Sequence, residues 1–112
     1  MHGIDYQPCV LPGDLSGGQR KHGDFMWHQF GNMIQVGADG IYISMFDEFN
    51  EGNQIAKTAA VKADQPTDAT FNTLDEDGTA CSSDYYLRLT GDGGRMLKGQ
   101  IPFSFTRPTP TM

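Results

Sequence analysis

What the chain has little of narrows its reading first. Basic residues are scarce: 8 Lys and Arg stand against 14 Asp and Glu, a formal charge of −6 over 112 residues. No cluster of them exceeds the pair Arg20–Lys21. A polyanion therefore finds no electrostatic footprint, and nucleic acid is not an expected partner. Long apolar runs are missing as well. The longest, "IYISMF" at 41–46, falls far short of the roughly 20 residues that a membrane-spanning helix needs, so no membrane partner is expected. The opening "MHGIDYQPCV" has no charged start followed by an apolar run, and no signal peptide is expected in it. Cysteine is limited to Cys9 and Cys81, with no C-x-x-C pattern, which removes a zinc knuckle. The two are either one disulfide or two thiols. Cys9 stands in an apolar strand, which favours a buried thiol.

What is present suits one domain with a modest core. Apolar residues make up 38% and aromatics 11%, above the level of a disordered chain. "YQPCVL" at 6–11 reads as a short strand weakened by Pro8, which cannot donate to a ladder. Residues 13–23 are glycine-rich loop. "DFMWHQFGNMIQV" at 24–36 reads as a helix, with Met26, Phe30 and Met33 on one face, Ile34 beside them and Asp24 as its N-cap. "IYISMF" at 41–46 reads as a buried strand. "NQIAKTAAVKA" at 53–63 has helix-forming composition, for a single turn or two, and 64–81 is polar and turn-rich. In "SSDYYLRLTGDGGRMLKG" Ser82 or Ser83 can cap a helix, Tyr86, Leu89, Gly93, Met96 and Leu97 share a face, and Lys98–Gly99 stop it. Gly91, Gly93 and Gly94 require that helix either to break or to pack very closely. Residues 100–112 form an extended, proline-rich tail.

Strand, helix, strand, long excursion and helix amount to two β–α units, which implies an α/β fold with parallel strands covered by helices. Two parallel strands cannot cover their own faces and edges. The expected architecture is therefore part of something larger, closed either by further barrel strands or by another copy of the chain.

Between these units lies "MFDEFNEGNQIA", which crowds Asp47, Glu48 and Glu51 directly after the second strand. Two readings compete. Carboxylates before a helix interact well with its amide dipole and stay solvated. Alternatively, a helical turn places Glu48 and Glu51 on one face at the carboxyl end of a buried strand, where α/β active sites lie. Two such groups push each other's proton affinities apart, so that one serves as acid while the other stays charged. Glycoside hydrolysis needs that division.

Taken together, "GDFMWHQF", "YISMFDEFNEGNQIAK" and "SDYYLRLTGDGGRMLKG" resemble the C-terminal part of bacterial glycoside hydrolases grouped loosely with families 71 and 99, of α-glucanase and endo-α-mannanase or mannosidase type. "GIDYQPCVLPG" resembles the preceding strand, so the likeness runs from residue 3 to about 107. It implies the last two β–α units of a (β/α)8, or TIM, barrel, incomplete in this chain, with residues 1–112 as one partial domain. The family motif has a glutamate, two residues, then a glutamate followed by glycine. Glu48 and Glu51, before Gly52, match it. The resemblance implies Glu48 as base, assisting attack through the sugar's 2-hydroxyl, and Glu51 as general acid and then base for water. Asp47, Phe49 and Asn50 hold sugar-contacting positions, although the family often has tryptophan at the place of Phe49 and histidine at that of Asn50. Direct attack by water, with inversion, is the family 71 alternative. The implied partner is a polysaccharide or oligosaccharide, and the lineage is secreted or periplasmic. A non-catalytic carbohydrate-binding or self-associating remnant of the fold is the other reading.

The remaining chemistry-bearing residues read as structural. Trp27 belongs to the core of its helix, His28 faces outward or bonds within the fold, and His22 is a solvated loop residue. Asp75–Glu76–Asp77–Gly78 lacks the distal glutamate of a calcium loop and reads as a turn. Tyr85 and Tyr86 are packing residues. "GDGG" lacks the lysine and the preceding strand of a phosphate loop. No metal site and no cofactor is expected.

Overall fold

A computed structural model describes residues 4–13, 20–49, 53–68 and 71–112. The chain begins with an extended segment tied to Asp39, whose carboxylate accepts the Tyr6 amide at 2.9 Å while its own amide donates to the Tyr6 carbonyl at 2.8 Å. Strand β1 (Cys9–Val10) follows, then a 3-10 turn (Lys21–Gly23), helix α1 (Asp24–Gln35) and strand β2 (Tyr42–Ile43). A second 3-10 turn (Lys62–Asp64) interrupts the excursion before helix α2 (Tyr85–Leu97).

β1 and β2 pair in parallel, Cys9 with Tyr42 and Val10 with Ile43. Pro8 has no amide to give, but its carbonyl accepts the Tyr42 amide, and Val10 accepts Ser44, each at 2.9 Å. Both strands lie inside the expected spans and are much shorter, and β2 is not the buried strand expected: Tyr42 is exposed and Ile43 half-buried, because only one face of the pair meets the core. Two parallel strands joined by a helix, with a second helix further on, define an α/β unit; such a unit is common to barrels and open sheets.

α1 starts from Gly23, whose φ of +94° a side chain would resist. Asp24 is thus the first helical residue, not the N-cap expected, and its carboxylate is engaged elsewhere, by Arg107 at 3.0 Å. Both helices stop in the same way. Gly37 (φ +90°) donates to Ile34 and Ala38 to Met33; Gly99 (φ +72°) donates to Met96 and Gln100 to Arg95. This pairing satisfies the last carbonyls through a left-handed glycine. Asp84, not Ser82 or Ser83, stands at the N-cap position of α2 without a side-chain capping bond; its carboxylate accepts the Ser82 hydroxyl at 2.7 Å and Arg88 at 3.2 Å.

The core is built from Val10, Met26, Trp27, Phe30, Ile55, Leu74, Cys81, Tyr85, Tyr86, Leu89 and Met96. The glycines of α2 do not break it. A Cβ on Gly93 would lie 2.5 Å from the Phe30 ring, so the two helices touch where one has no side chain. At the other end, a Cβ on Gly23 would meet the Tyr85 hydroxyl at 2.5 Å and Leu89 at 2.9 Å. Contacts therefore advance in the same sense along both helices, from Gly23 beside Tyr85 to Phe30 beside Gly93. The helices run in the same direction.

The tail is a strap across both helices. Trp27 donates its indole N–H to the Ser104 carbonyl at 2.9 Å, and Thr109 its hydroxyl to Asp92 at 2.5 Å. Arg88 reaches the Pro110 carbonyl at 2.8 Å, and Phe105 lies over Gly31. Thr109 is only 2% exposed.

Two further expectations are corrected. Residues 53–61 are irregular, and only the 3-10 turn at Lys62–Asp64 overlaps a stretch whose composition suits helix; the amides of Asn53, Ala56 and Thr58 go instead to the carbonyls of Glu48, Phe46 and Ser83. Each donor so used is lost to an i−4 ladder. Cys9 is exposed, not buried, because it lies on the sheet face away from Val10, beside the exposed Tyr42. Both cysteines are free. Among the described residues no helix is long and apolar enough to cross a membrane.

The helix contact makes two neighbouring glycines respond oppositely. Gly93→Ala forces a methyl into Phe30 and should destabilise the chain by about 1–3 kcal/mol. Gly94, with open space around it, should gain about 0.5–1 kcal/mol on Gly94→Ala. Urea midpoints of the two variants test the pair.

Candidate active site

The acidic segment begins where β2 ends. Ile43 closes the strand, and Asp47, Glu48 and Phe49 follow within a few residues. Pairing is parallel, so this is the carboxyl end of both strands, the side on which Leu11 and Pro12 leave β1. Asp47 is exposed, while Glu48 and Phe49 are half-buried. The Phe49 amide donates to the Asp47 carbonyl at 2.9 Å, a tight turn that sends the chain away from the strand line. The Phe49 ring packs against Phe71, with centroids 5.7 Å apart.

The segment then folds back on itself. Asn53 donates to the Glu48 carbonyl at 3.3 Å, Ile55 to Met45 at 3.2 Å and Phe46 at 3.0 Å, and Ala56 to Phe46 at 2.9 Å. The result is a loop closed at its base. Its returning limb, Asn53, Gln54 and Ile55, is buried. Asp47, Glu48 and Phe49 are therefore brought together on the outgoing limb. Asn50 and Glu51 lie outside the described residues, and so does the expected apposition of Glu48 with Glu51.

Beneath the returning limb lies a polar layer that the sequence reading missed. Arg20 is 3% exposed, and Asn53 and Gln54 are 0% exposed. The Arg20 guanidinium donates to the Gln54 carbonyl and, at 3.1 Å, to its side-chain oxygen. It also lies over the Tyr86 ring, 4.2 Å from the centroid. Burial lowers the proton affinity of Arg20, against the pull of Tyr86 and Glu76. Burial likewise raises the Glu76 carboxyl, although the Arg20 amide, 3.0 Å away, and its charge oppose this. Burial pushes both Tyr85 and Tyr86 phenols well above their ordinary value. Arg20 sat in a glycine-rich stretch read as loop. The available signal was the pair Asn53–Gln54, polar residues at the start of a helix-forming stretch.

His22 is corrected from solvated loop residue to junction. Its Nδ1 lies 2.8 Å from the Asp77 carboxylate and its Nε2 3.2 Å from that of Asp24. Its carbonyl accepts the Tyr85 hydroxyl at 2.7 Å. Residues 75–78 form the expected turn, closed by the Gly78 amide on the Asp75 carbonyl at 2.9 Å. Trp27 is core, at 1% exposed, and His28 faces outward, as read. Among the described residues, no group of three or more His, Cys, Asp or Glu could hold a metal ion. A cavity of about 560 Å³ lies under the tail, lined in part by Trp27, Asp92, Ile101 and Arg107. None of its described lining residues belongs to the acidic loop.

Comparison with known proteins returns no matching family model, no matching curated protein and no matching solved structure.

The Asp77 junction has a pH signature. Burial tends to raise the Asp77 carboxyl, but the Thr79 amide and the His22 ring outweigh it, and the net shift is downward. A carboxyl depressed in the folded state stabilises the fold above its unfolded value, near 4, and loses that contribution as pH falls through the folded value. Asp77→Asn should therefore lower the melting temperature at pH 6 and converge with the parent in strong acid. Melting temperatures across that range decide it; a constant gap at every pH would contradict the assignment.

Proposed function

We propose that this chain is the acid-bearing C-terminal segment of a glycoside hydrolase of the family 71 and 99 type, in which Glu48 and Glu51 cleave the glycosidic bonds of an α-glucan or α-mannan. The observation that carries the reading is the place of Asp47, Glu48 and Phe49 immediately beyond the carboxyl end of a parallel strand. That end is where α/β folds assemble their active sites from loops. The three quoted motifs, in their order along the chain, supply the family.

Other features agree with it. α1 and α2 run in the same direction, as consecutive helices of repeated β–α units do. Each of the two strands has one unpaired edge among the described residues, and barrel closure removes such edges. In this reading residues 3–99 are the last two β–α units of a (β/α)8 barrel. The remaining units supply the walls that orient a sugar, and orientation contributes much of the rate. Phe49, packed on Phe71, presents an apolar ring next to the acids; sugar C–H faces pack on such rings. Asp47 and Asn50 supply polar contacts.

In the reaction, Glu48 takes the proton of the sugar's 2-hydroxyl as its oxygen attacks the anomeric carbon. Glu51 gives its proton to the leaving oxygen. Glu51 then deprotonates water, which opens the intermediate, and the 2-hydroxyl recovers its proton from Glu48. The inverting variant replaces the 2-hydroxyl by water in the first step. No cofactor or metal enters either route.

A second reading is favoured by one observation. Ile4, Tyr6, Tyr42 and Phe46 are 77%, 48%, 66% and 59% exposed, an apolar display around the sheet that a self-associating or carbohydrate-binding module would cover. Such a module would be a monodisperse oligomer that binds glycans without cutting them.

The deciding assay measures reducing ends released from α-glucan and α-mannan by the shortest polypeptide that contains this chain and is active. Glu48→Gln and Glu51→Gln should each lower the rate by about 10²-fold or more. An unchanged rate in the Glu51 variant removes the acid assignment.

A further inference from the structure

We infer that Arg20 is the positioning residue of the acidic loop: by clamping Gln54 it fixes the returning limb and, through it, the carboxylates of the outgoing limb. The catalytic part of this inference rests on the proposed hydrolase reading; the clamp itself does not.

A guanidinium withdrawn from water is tolerated only where its donors are matched. Arg20 is 3% exposed, and its Nη2 meets both the backbone and the side-chain oxygen of Gln54. Its plane lies over Tyr86 of α2, and its own amide donates to Glu76 in the turn before α2. One residue thus joins the loop, the second helix and the acidic turn.

The loop needs that attachment. Asn53 and Gln54 are 0% exposed, yet Asn53 Oδ1 and Nδ2 and Gln54 Nε2 have no hydrogen-bond partner among the described residues. Buried, unmatched polar atoms work against the limb's inward position. Charge-assisted bonds to Gln54 oppose this, being stronger than neutral ones. The amides on either side of Gln54 carry the constraint onward, since Asn53 bonds to Glu48 and Ile55 to Met45 and Phe46. A shift at Gln54 is therefore passed directly to the backbone of Glu48. Lysine cannot substitute, because an ammonium has no planar face for Tyr86 and no fork for two oxygens.

The test uses the full chain, with Arg20→Lys, Arg20→Met and the near-isosteric Gln54→Met. Amide hydrogen exchange should accelerate at Asn53, Ile55 and Ala56 by about 10-fold or more in both Arg20 variants, while the central amides of α1 and α2 keep their protection. Gln54→Met, which retains the carbonyl acceptor, should produce a smaller acceleration at the same amides. Loop exchange equal to the parent's in Arg20→Lys would overturn the clamp. Loss of helix protection in step with the loop would overturn it too, because Arg20 would then support the whole fold. In an active polypeptide containing the chain, Arg20→Lys should lower kcat by about 10-fold or more with KM nearly unchanged. Faster loop exchange with an unaltered kcat overturns the positioning role. If Glu48→Gln and Glu51→Gln leave hydrolysis untouched, the hydrolase reading fails, and the exchange measurement alone decides the clamp.

Discussion

The ring of Phe30 rests on the bare backbone of Gly93, and most of the architecture follows from that contact. Any side chain at position 93 would hold the helices apart. With none, Tyr85, Tyr86, Leu89 and Met96 of α2 close over Met26, Trp27 and Phe30 of α1. The same approach brings Tyr85 to the start of α1, where its hydroxyl bonds to the His22 carbonyl. It also sets Tyr86 where Arg20 can stack on it. Packing at the centre thus reaches the acidic loop in two steps, from helix contact to Tyr86 and from Arg20 to Gln54.

Around this contact the molecule distributes its polar groups by layer. Arg88, Thr109 and Trp27 bind the strap to the helices through carbonyls and a carboxylate. Asp24 is shared between His22 and Arg107, joining the start of α1 to the 75–78 turn through His22 and to the tail through Arg107. The ion pairs of Asp24 and His22 are partly exposed, and each contributes modestly. Arg20 differs because it is buried, so the loss of its partners would leave a desolvated charge, a far larger penalty than the loss of a surface pair.

The helices and the parallel order of the strands were legible in the sequence because they depend on local periodicity and glycine stops. Met26, Phe30 and Leu89 fall where a 3.6-residue period puts them, and Gly99 ends α2 as read. What was not legible depends on long-range bonds. Residues 53–63 have helix-forming side chains, but their donors go to Glu48, Phe46 and Ser83, and no local pattern encodes those acceptors. His22 and Arg20 stand in polar, glycine-rich stretches, and their roles come from Asp77 and Gln54 more than 30 positions away. The exposure of Cys9 was hidden for a related reason: a two-residue strand has one residue on each face, and only Val10 meets the core. At the candidate site, the acids were found through their crowding and the motif, while the buried layer below them carried only the faint mark of Asn53–Gln54.

The edge of β1 shows how such a small sheet can belong to a larger one. Val10 and Pro8 direct their carbonyls toward β2, so alternation along the strand turns Cys9 and Leu11 the other way. At Leu11 that outward edge is already occupied: the Gln29 side chain accepts its amide at 2.9 Å and donates to its carbonyl at 2.8 Å, imitating a neighbouring strand. An added strand could therefore pair at Cys9 but not beyond it. Gln29 thereby blocks outward pairing of β1 beyond Cys9, from the same helix that carries Phe30. The core contact and the cap on the outward edge of β1 are thus set by adjacent residues of α1, Phe30 and Gln29.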